Sequence, residues 1–306
     1  MEKDKLIEKI KALKKKRNAV ILSHVYQRDE VQDIADFIGD SLGLSRKAVS
    51  TDAKVILFCG VRFMAETAAI LNPDKIVLLP DKNAGCALAD MATLIELRAK
   101  KKEYPDAAVV SYVNSSALIK AESDICCTSA NAVDVVNSLK EKQILFLPDK
   151  NLGNFVSSKT DKRVILWDGF CYVHHHNISQ DDIRRAKTKH PNAKVMVHPE
   201  CPPEVTSLAD YIGSTSQMAR YASKNSYKEF IVGTEKGMLH NLRIHNPDKK
   251  FYPASEEAIC RDMKLVTLEK VASALENMEY RVEVPGKVAI RAKKALDRML
   301  EVKKIG

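Results

Sequence analysis

The chain has 306 residues, 45% hydrophobic and 29% charged, which suits a large packed core and excludes a disordered tail, a collagen-like fibre or a cysteine-dense secreted mini-domain. Its 49 Lys+Arg against 40 Asp+Glu give a net charge of +9. The lysines are interleaved with acids along the whole chain, so the charge suits small anionic substrates better than nucleic acid. No apolar run approaches the roughly 18 residues of a membrane span. The charged N-terminus lacks a signal-peptide core. Seven cysteines, with Cys126 and Cys127 adjacent, make a poor disulfide plan, so reduced thiols in the cytoplasm are expected.

In chain order, residues 5–16 read as a charged helix, and the β-rich run Val20-Ile21-Leu22-Ser23 follows. Val55-Ile56-Leu57-Phe58, Ile76-Val77-Leu78-Leu79, Ala108-Val109-Val110, Ile144-Leu145-Phe146-Leu147 and Val164-Ile165-Leu166-Trp167 come next. Val195-Met196-Val197, Tyr211-Ile212, Phe230-Ile231-Val232 and Lys250-Phe251-Tyr252 complete the set, and residues 288–302 read as a closing helix. Short apolar runs without alternation suit parallel strands covered by helices on both faces.

The spacing of these runs repeats. His24, Tyr112 and His198 each end a strand, 88 and 86 residues apart, and Ser41, Ser129 and Thr215 lie 17 residues after each. The runs at Ile56, Ile144 and Phe230 keep the same intervals. A fixed period argues for triplication. The expected fold is α/β, with three homologous three-layer αβα units and short parallel sheets at 18–105, 106–190 and 191–276. Segments 1–17 and 277–306 are expected to be mainly helical and to pack outside. Open parallel sheets collect ligands at the carboxyl ends of their strands, so three such ends predict one central cavity.

Chemically capable residues sit just after strands. Cys86, Cys171 and Cys260 are spaced by 85 and 89 residues, close to the repeat period. Three soft thiolates suit zinc with an open fourth position, or a four-iron cluster with one iron lacking a cysteine. Ordinary buried thiols are the competing explanation, and Cys59, Cys126 and Cys127 are assigned to packing, the last two at the start of a turn. His24, Tyr112 and His198 can each donate a hydrogen bond to an anionic or carbonyl oxygen. Glu200, two residues past His198, is a candidate general base if its surroundings bring its pKa toward neutrality. Ser41, Ser129 and Thr215, with Ser214 beside the last, precede helices where hydroxyls and free N–H groups can seat anions or simply cap. Asn114 and Tyr26 are expected on the same rim, and Met64 in an apolar wall. The His174-His175-His176 run is assigned either a structural role or one supporting the site from behind its ligands, because alternating directions on a strand prevent all three from binding one ion. Dinucleotide, Walker, zincin and nucleophile-elbow signatures are absent. Gly39-Asp40-Ser41-Leu42 spells a serine-esterase signature but lacks that class's context.

The ordered set of segments resembles the quinolinate synthase A family. It includes His24-Val25-Tyr26-Gln27, Gly39-Asp40-Ser41-Leu42, Phe58-Cys59-Gly60-Val61-Arg62-Phe63-Met64-Ala65-Glu66-Thr67 and Gly85-Cys86. Tyr112-Val113-Asn114, Cys127-Thr128-Ser129-Ala130-Asn131, Pro148-Asp149 and Trp167-Asp168-Gly169-Phe170-Cys171 continue it. His198-Pro199-Glu200-Cys201, Gly213-Ser214-Thr215, Thr234-Glu235 and Cys260-Arg261-Asp262-Met263-Lys264 complete it. The resemblance implies pseudo-threefold symmetry around the active site and a [4Fe-4S] cluster on Cys86, Cys171 and Cys260, one iron being free of cysteine. It implies condensation of iminoaspartate with dihydroxyacetone phosphate to quinolinate, with loss of phosphate and two waters. Glu200 is then the expected general base, Tyr26, Tyr112 and His198 guide proton transfers, and His24 holds an oxyanion or phosphate. Ser41, Met64, Asn114, Ser129, Ser214 and Thr215 are expected to contact substrate. Some relatives carry a Cys-x-x-Cys-x-x-Cys run at the last ligand; here there is only Cys260, with Met263 three residues later, so no regulatory disulfide is expected there. Expected partners are the two substrates and an enzyme producing iminoaspartate, with no nucleic acid or membrane and a monomer compatible. The alternatives are a zinc-dependent aldolase or hydrolase using the same cysteines, and a non-catalytic iron–sulfur sensor.

Overall fold

The computed structural model describes residues 2–302. Among them are three four-stranded parallel sheets, each flanked by helices, in the triplicated αβα arrangement. The first contains β1 (Ala19–His24), β2 (Phe37–Gly39), β3 (Val55–Cys59) and β4 (Ile76–Leu78), in the order β2-β1-β3-β4. The second contains β5 (Ala107–Tyr112), β6 (Ile125–Cys127), β7 (Gln143–Leu147) and β8 (Arg163–Leu166), ordered β6-β5-β7-β8. The third contains β9 (Lys194–Val197), β10 (Tyr211–Ile212), β11 (Glu229–Gly233) and β12 (Lys250–Pro253), ordered β10-β9-β11-β12. The β3 residues are all buried, as expected for a central strand with helices on both faces.

The repeat extends to side chains that build the units. Asp36, Asp124 and Asp210 accept the backbone N–H groups of Ile21, Val109 and Val195 at 2.8, 2.7 and 2.8 Å. Each carboxylate pins the approach to an edge strand against the neighbouring central one. Lys75, Lys162 and Lys249 each turn their ammonium onto carbonyls at or just past the end of an earlier helix. Lys75 meets Ala48 and Thr51, Lys162 meets Leu139 and Glu141, and Lys249 meets Ala222 and Asn225. Helix ends leave carbonyls without intrahelical partners, and a cation both satisfies them and opposes the negative end of the helix dipole.

Two strands escaped the reading of apolar runs: Phe37–Gly39 and Ile125–Cys127. Cys126 and Cys127 therefore lie in a strand rather than at the start of a turn.

Helices late in the chain close faces that the earlier chain leaves open. Leu268–Asn277 packs beside Glu2–Arg17 on the first sheet, where Val271, Ala272 and Leu275 meet Ile10, Ile21 and Leu57 in one apolar cluster. Arg17 fixes the pair by donating to the carbonyls of Leu275 and Glu276 at 3.1 and 2.6 Å. The helix Gly286–Glu301 buries Ala292, Ala295, Leu296 and Met299 in the core shared by the first two sheets. Its Met299 carbonyl accepts a hydrogen bond from Asn131, whose other end organises the Thr128 turn that carries Ser129. No helix among the described residues is long and apolar enough to cross a membrane.

Candidate active site

The central strands end in one cavity. Its wall contains His24, Tyr26, Ser41, Met64, Cys86, Tyr112, Asn114, Ser129, Cys171, His198, Glu200, Thr215 and Cys260. Each of these was singled out in the sequence. Ser214 was too, but it is outside this wall: its fully buried hydroxyl caps the helix Thr215–Lys224 by accepting from Gln217 N–H, and contacts Ser216 Oγ at 3.1 Å. Capping leaves Thr215 as the hydroxyl at the cavity. Ser41 is likewise the first residue of its helix, behind the capping Asp40.

The two strand-end histidines have the same local geometry. His24 Nδ1 accepts the Tyr26 N–H at 3.2 Å, and His198 Nδ1 accepts the Glu200 N–H at 3.3 Å. An Nδ1 that accepts leaves Nε2 as the protonated nitrogen, so each neutral ring presents one donor. His198 Nε2 lies 3.1 Å from Ser129 Oγ. Burial first, then the nearby His198, lowers the His24 pKa to about 3. Burial also lowers His198 to about 3, against an upward pull from Glu200. Both rings are therefore neutral at pH 7.

A chain of hydrogen-bonding groups joins opposite sides of the cavity. Glu200 Oε2 lies 2.6 Å from His174 Nδ1. His174 Nε2 lies 2.9 Å from Thr234 Oγ1, and Thr234 Oγ1 lies 2.6 Å from Tyr26 Oη. The His174 ring stacks on His198 with centroids 4.7 Å apart. The Tyr112 phenol also faces Glu200 closely enough for each to shift the other's ionisation. Burial pushes the Glu200 carboxyl up, but the adjacent His174 and His198, with the nearby Tyr112 phenol, together hold it below the usual carboxylate range. The carboxyl is thus ionised, and its pKa is not brought toward neutrality as an isolated general base requires. Burial, followed by Glu200, pushes both tyrosines well above 10, so their phenols keep their protons at neutral pH.

His174 and Thr234 are the site residues that reasoning from single residues passed over. His174 and His175 lie on the short helix Tyr172–His175, with His176 at its C-cap, rather than on a strand. Only His174 enters the cavity wall, while the rings of His175 and His176 pack against Phe170. The available signal was Thr234 immediately after β11, in the position where a parallel strand delivers residues to a ligand.

The thiols divide into two groups. Cys59, Cys126, Cys127 and Cys201 are buried in packed core, and burial pushes Cys126 up to about 12. Cys86, Cys171 and Cys260 share the cavity wall, and Cys171 is close enough to both others for them to oppose its ionisation. Burial raises all three, Cys260 to about 11. Such thiols ionise when a cation replaces their protons, so metal loading here should release protons. One ligand atom each from Cys171, His174 and Glu200 also falls within 4.8 Å of the others, giving a buried group able to hold a metal.

Matching strand ends around one cavity, with soft and hard donors in the same wall, define a triplicated αβα enzyme with a metal-capable centre. The family model described as "Quinolinate synthetase A protein" matches residues 8–301. The chain is 58% identical over 303 residues to a quinolinate synthase of Methanosarcina barkeri, covering 99% of both proteins. It is 55% identical over 302 residues to a quinolinate synthase of Dehalococcoides mccartyi, covering 99% of this chain and 100% of the relative. With that of Thermodesulfovibrio yellowstonii the identity is 54% over 298 residues, or 97% and 98% of the two chains. The chain belongs to the quinolinate synthetase A family.

Proposed function

We infer that this enzyme condenses iminoaspartate with dihydroxyacetone phosphate to form quinolinate, releasing phosphate and two waters, with a [4Fe-4S] cluster held by Cys86, Cys171 and Cys260. The observation that carries the reading is the shared wall: three soft thiols from distant parts of the chain beside a neutral-histidine, tyrosine and carboxylate network. The donor chemistry fits a cluster with one iron lacking a cysteine, since the remaining cysteines lie in packed core. When bound, the cluster would supply Lewis acidity toward a hydroxyl or carbonyl oxygen. The seven free thiols suit a reducing cytoplasm.

The protein's own groups would do the rest. Neutral His24 and His198 each offer an N–H to an oxyanion, phosphate or carboxylate without bringing a competing positive charge. Ser41, Ser129 and Thr215, one near each group of strand ends, would seat the anionic ends of the substrates, with Asn114 and Met64 completing the wall. The buried Asn114 Oδ1 has no partner among the described residues, which suits an acceptor for a substrate donor. Glu200 would act through His174: the carboxylate steadies a proton on the imidazole, and Thr234 passes protons between that ring and the Tyr26 phenol. We propose domain limits at 18–105, 106–190 and 191–276, with the late helix Leu268–Asn277 lent to the first unit. The direct test is anaerobic reconstitution followed by assay with iminoaspartate and dihydroxyacetone phosphate. Quinolinate formation is expected; a fully reconstituted chain that produces none would overturn the assignment.

A further inference from the structure

Two buried carboxylates outside the proton chain have one geometry in common. Asp149 and Glu235 are both fully buried, and they stand 86 residues apart, in register after β7 and β11. Asp149 accepts the Leu152 N–H on Oδ1 at 2.8 Å and the Cys171 N–H on Oδ2 at 3.1 Å. Glu235 accepts the Gly237 N–H on Oε2 at 2.6 Å and the Cys260 N–H on Oε1 at 3.1 Å. In each case one oxygen ties down the turn after the central strand, and the other crosses 22 or 25 residues of chain to take the amide proton of a cavity cysteine. The surrounding backbone is built closely around both bonds. A Cβ at Gly237 would stand 2.8 Å from Gln27 O, and one at Gly169, two residues before Cys171, would stand 2.4 Å from Pro148 O. The first unit lacks the device, because Val61 occupies the corresponding register before Cys86.

We propose that Asp149 and Glu235 are positioning residues that clamp the loops of Cys171 and Cys260 for the metal centre by capturing the backbone amide proton of each cysteine. The inference rests on the reading of Cys86, Cys171 and Cys260 as cluster ligands. The clamp has two consequences for such a centre. It fixes two of three sulfur positions before iron arrives, and groups that orient metal ligands in this way typically contribute about 10- to 100-fold in metal retention. It also withholds two backbone N–H groups from the sulfurs, and fewer hydrogen bonds to sulfur keep a cluster's reduction potential low.

Amide substitutions test the clamp with little change of shape. A carboxylate can accept from both sides, whereas Asn or Gln has a single acceptor oxygen and must turn an NH2 group toward one of the two N–H donors. Asp149→Asn and Glu235→Gln are compared with wild type and with Asp210→Asn, which alters another strand-anchoring carboxylate at the far end of the third sheet. All four chains are reconstituted anaerobically, and iron release to a chelator, the cluster's midpoint potential and apo-protein melting are measured. The clamp predicts iron release about 10-fold faster or more in Asp149→Asn and Glu235→Gln, with a more positive potential. Apo melting should fall in both clamp variants, further in Glu235→Gln, where Lys264 Nζ at 2.9 Å also loses its charged partner. The potential is the readout that loss of stability alone would not move, and Asp210→Asn should match wild type in release and potential. Should one clamp variant not fold, the other carries the same test. Wild-type release and potential in both clamp variants would overturn the inference while leaving the cluster reading intact. A wild-type chain that assembles no cluster under these conditions would overturn that reading, and the clamp with it.

Discussion

Thr234 stands between an imidazole at 2.9 Å and a phenol at 2.6 Å, and its hydroxyl can accept from one and donate to the other. Thr234→Val keeps the shape and removes the link. If protons travel this way, kcat should fall by about 10²-fold or more with KM little changed, as expected for loss of general acid–base assistance. A kcat near wild type in steady-state quinolinate assays would show that the chain carries no protons. The two strand-end histidines make a separate prediction about pH. Unfolded, they take up protons near the ordinary 6.5; folded, burial delays this to about 3. The unfolded state therefore binds more protons across that window, and stability falls as pH falls through it, by roughly 1 kcal/mol per pH unit for each histidine. Denaturant unfolding of the cluster-free chain at pH 7 and pH 5 should show this loss, and it should be smaller in a His24→Gln/His198→Gln variant. Glu200 was legible as a residue because it follows His198 by two positions, but its charge state was not. That depends on His174, which approaches from another part of the chain and on a helix whose four residues leave almost no periodic signature.

Among elements, the helix Gly286–Glu301 has a reach that its sequence does not disclose. Its apolar face is readable as Ala292, Ala295, Leu296 and Met299, yet nothing local says that this face closes the core between the first two sheets. Leu296 is fully buried there, so Leu296→Ala should cost about 2–5 kcal/mol in chemical denaturation. A cost below about 1 kcal/mol would mean that the helix is only loosely docked. The helix Leu268–Asn277 presents the same difficulty: it follows the third sheet in sequence but covers the first. The central strands were easier, because each contains an apolar run, and β1, β5 and β9 lead directly to His24, Tyr112 and His198. Phe37–Gly39 and Ile125–Cys127 were harder, being three residues each. Their starts, with Tyr211 of β10, nevertheless obey the 88- and 86-residue intervals, so the repeat contained a signal that hydropathy lacked.

At the scale of the whole molecule, triplication explains why residues so far apart in sequence can form one site. Parallel sheets present their carboxyl ends together, and three such ends bring three sets of loops to one cavity. The repeat has diverged where the chemistry differs. His24 and His198 retain the same Nδ1-to-backbone bond while Tyr112 replaces the ring in the second unit, and Tyr26, Asn114 and Glu200 occupy equivalent positions two residues later. The aspartates and lysines that brace each unit have not diverged, since their task is the same in all three. Cys86, Cys171 and Cys260 share the wall of that cavity and are proposed to hold one cluster. Iron and acid-labile sulfide content, measured after anaerobic reconstitution of wild type and of Cys86→Ser, Cys171→Ser, Cys260→Ser and Cys59→Ser, tests this most directly. About four irons and four sulfides per chain are predicted in wild type and in Cys59→Ser, with marked loss in each of the other three. A colourless wild type holding one zinc, or full cluster content in any of those three variants, would contradict it.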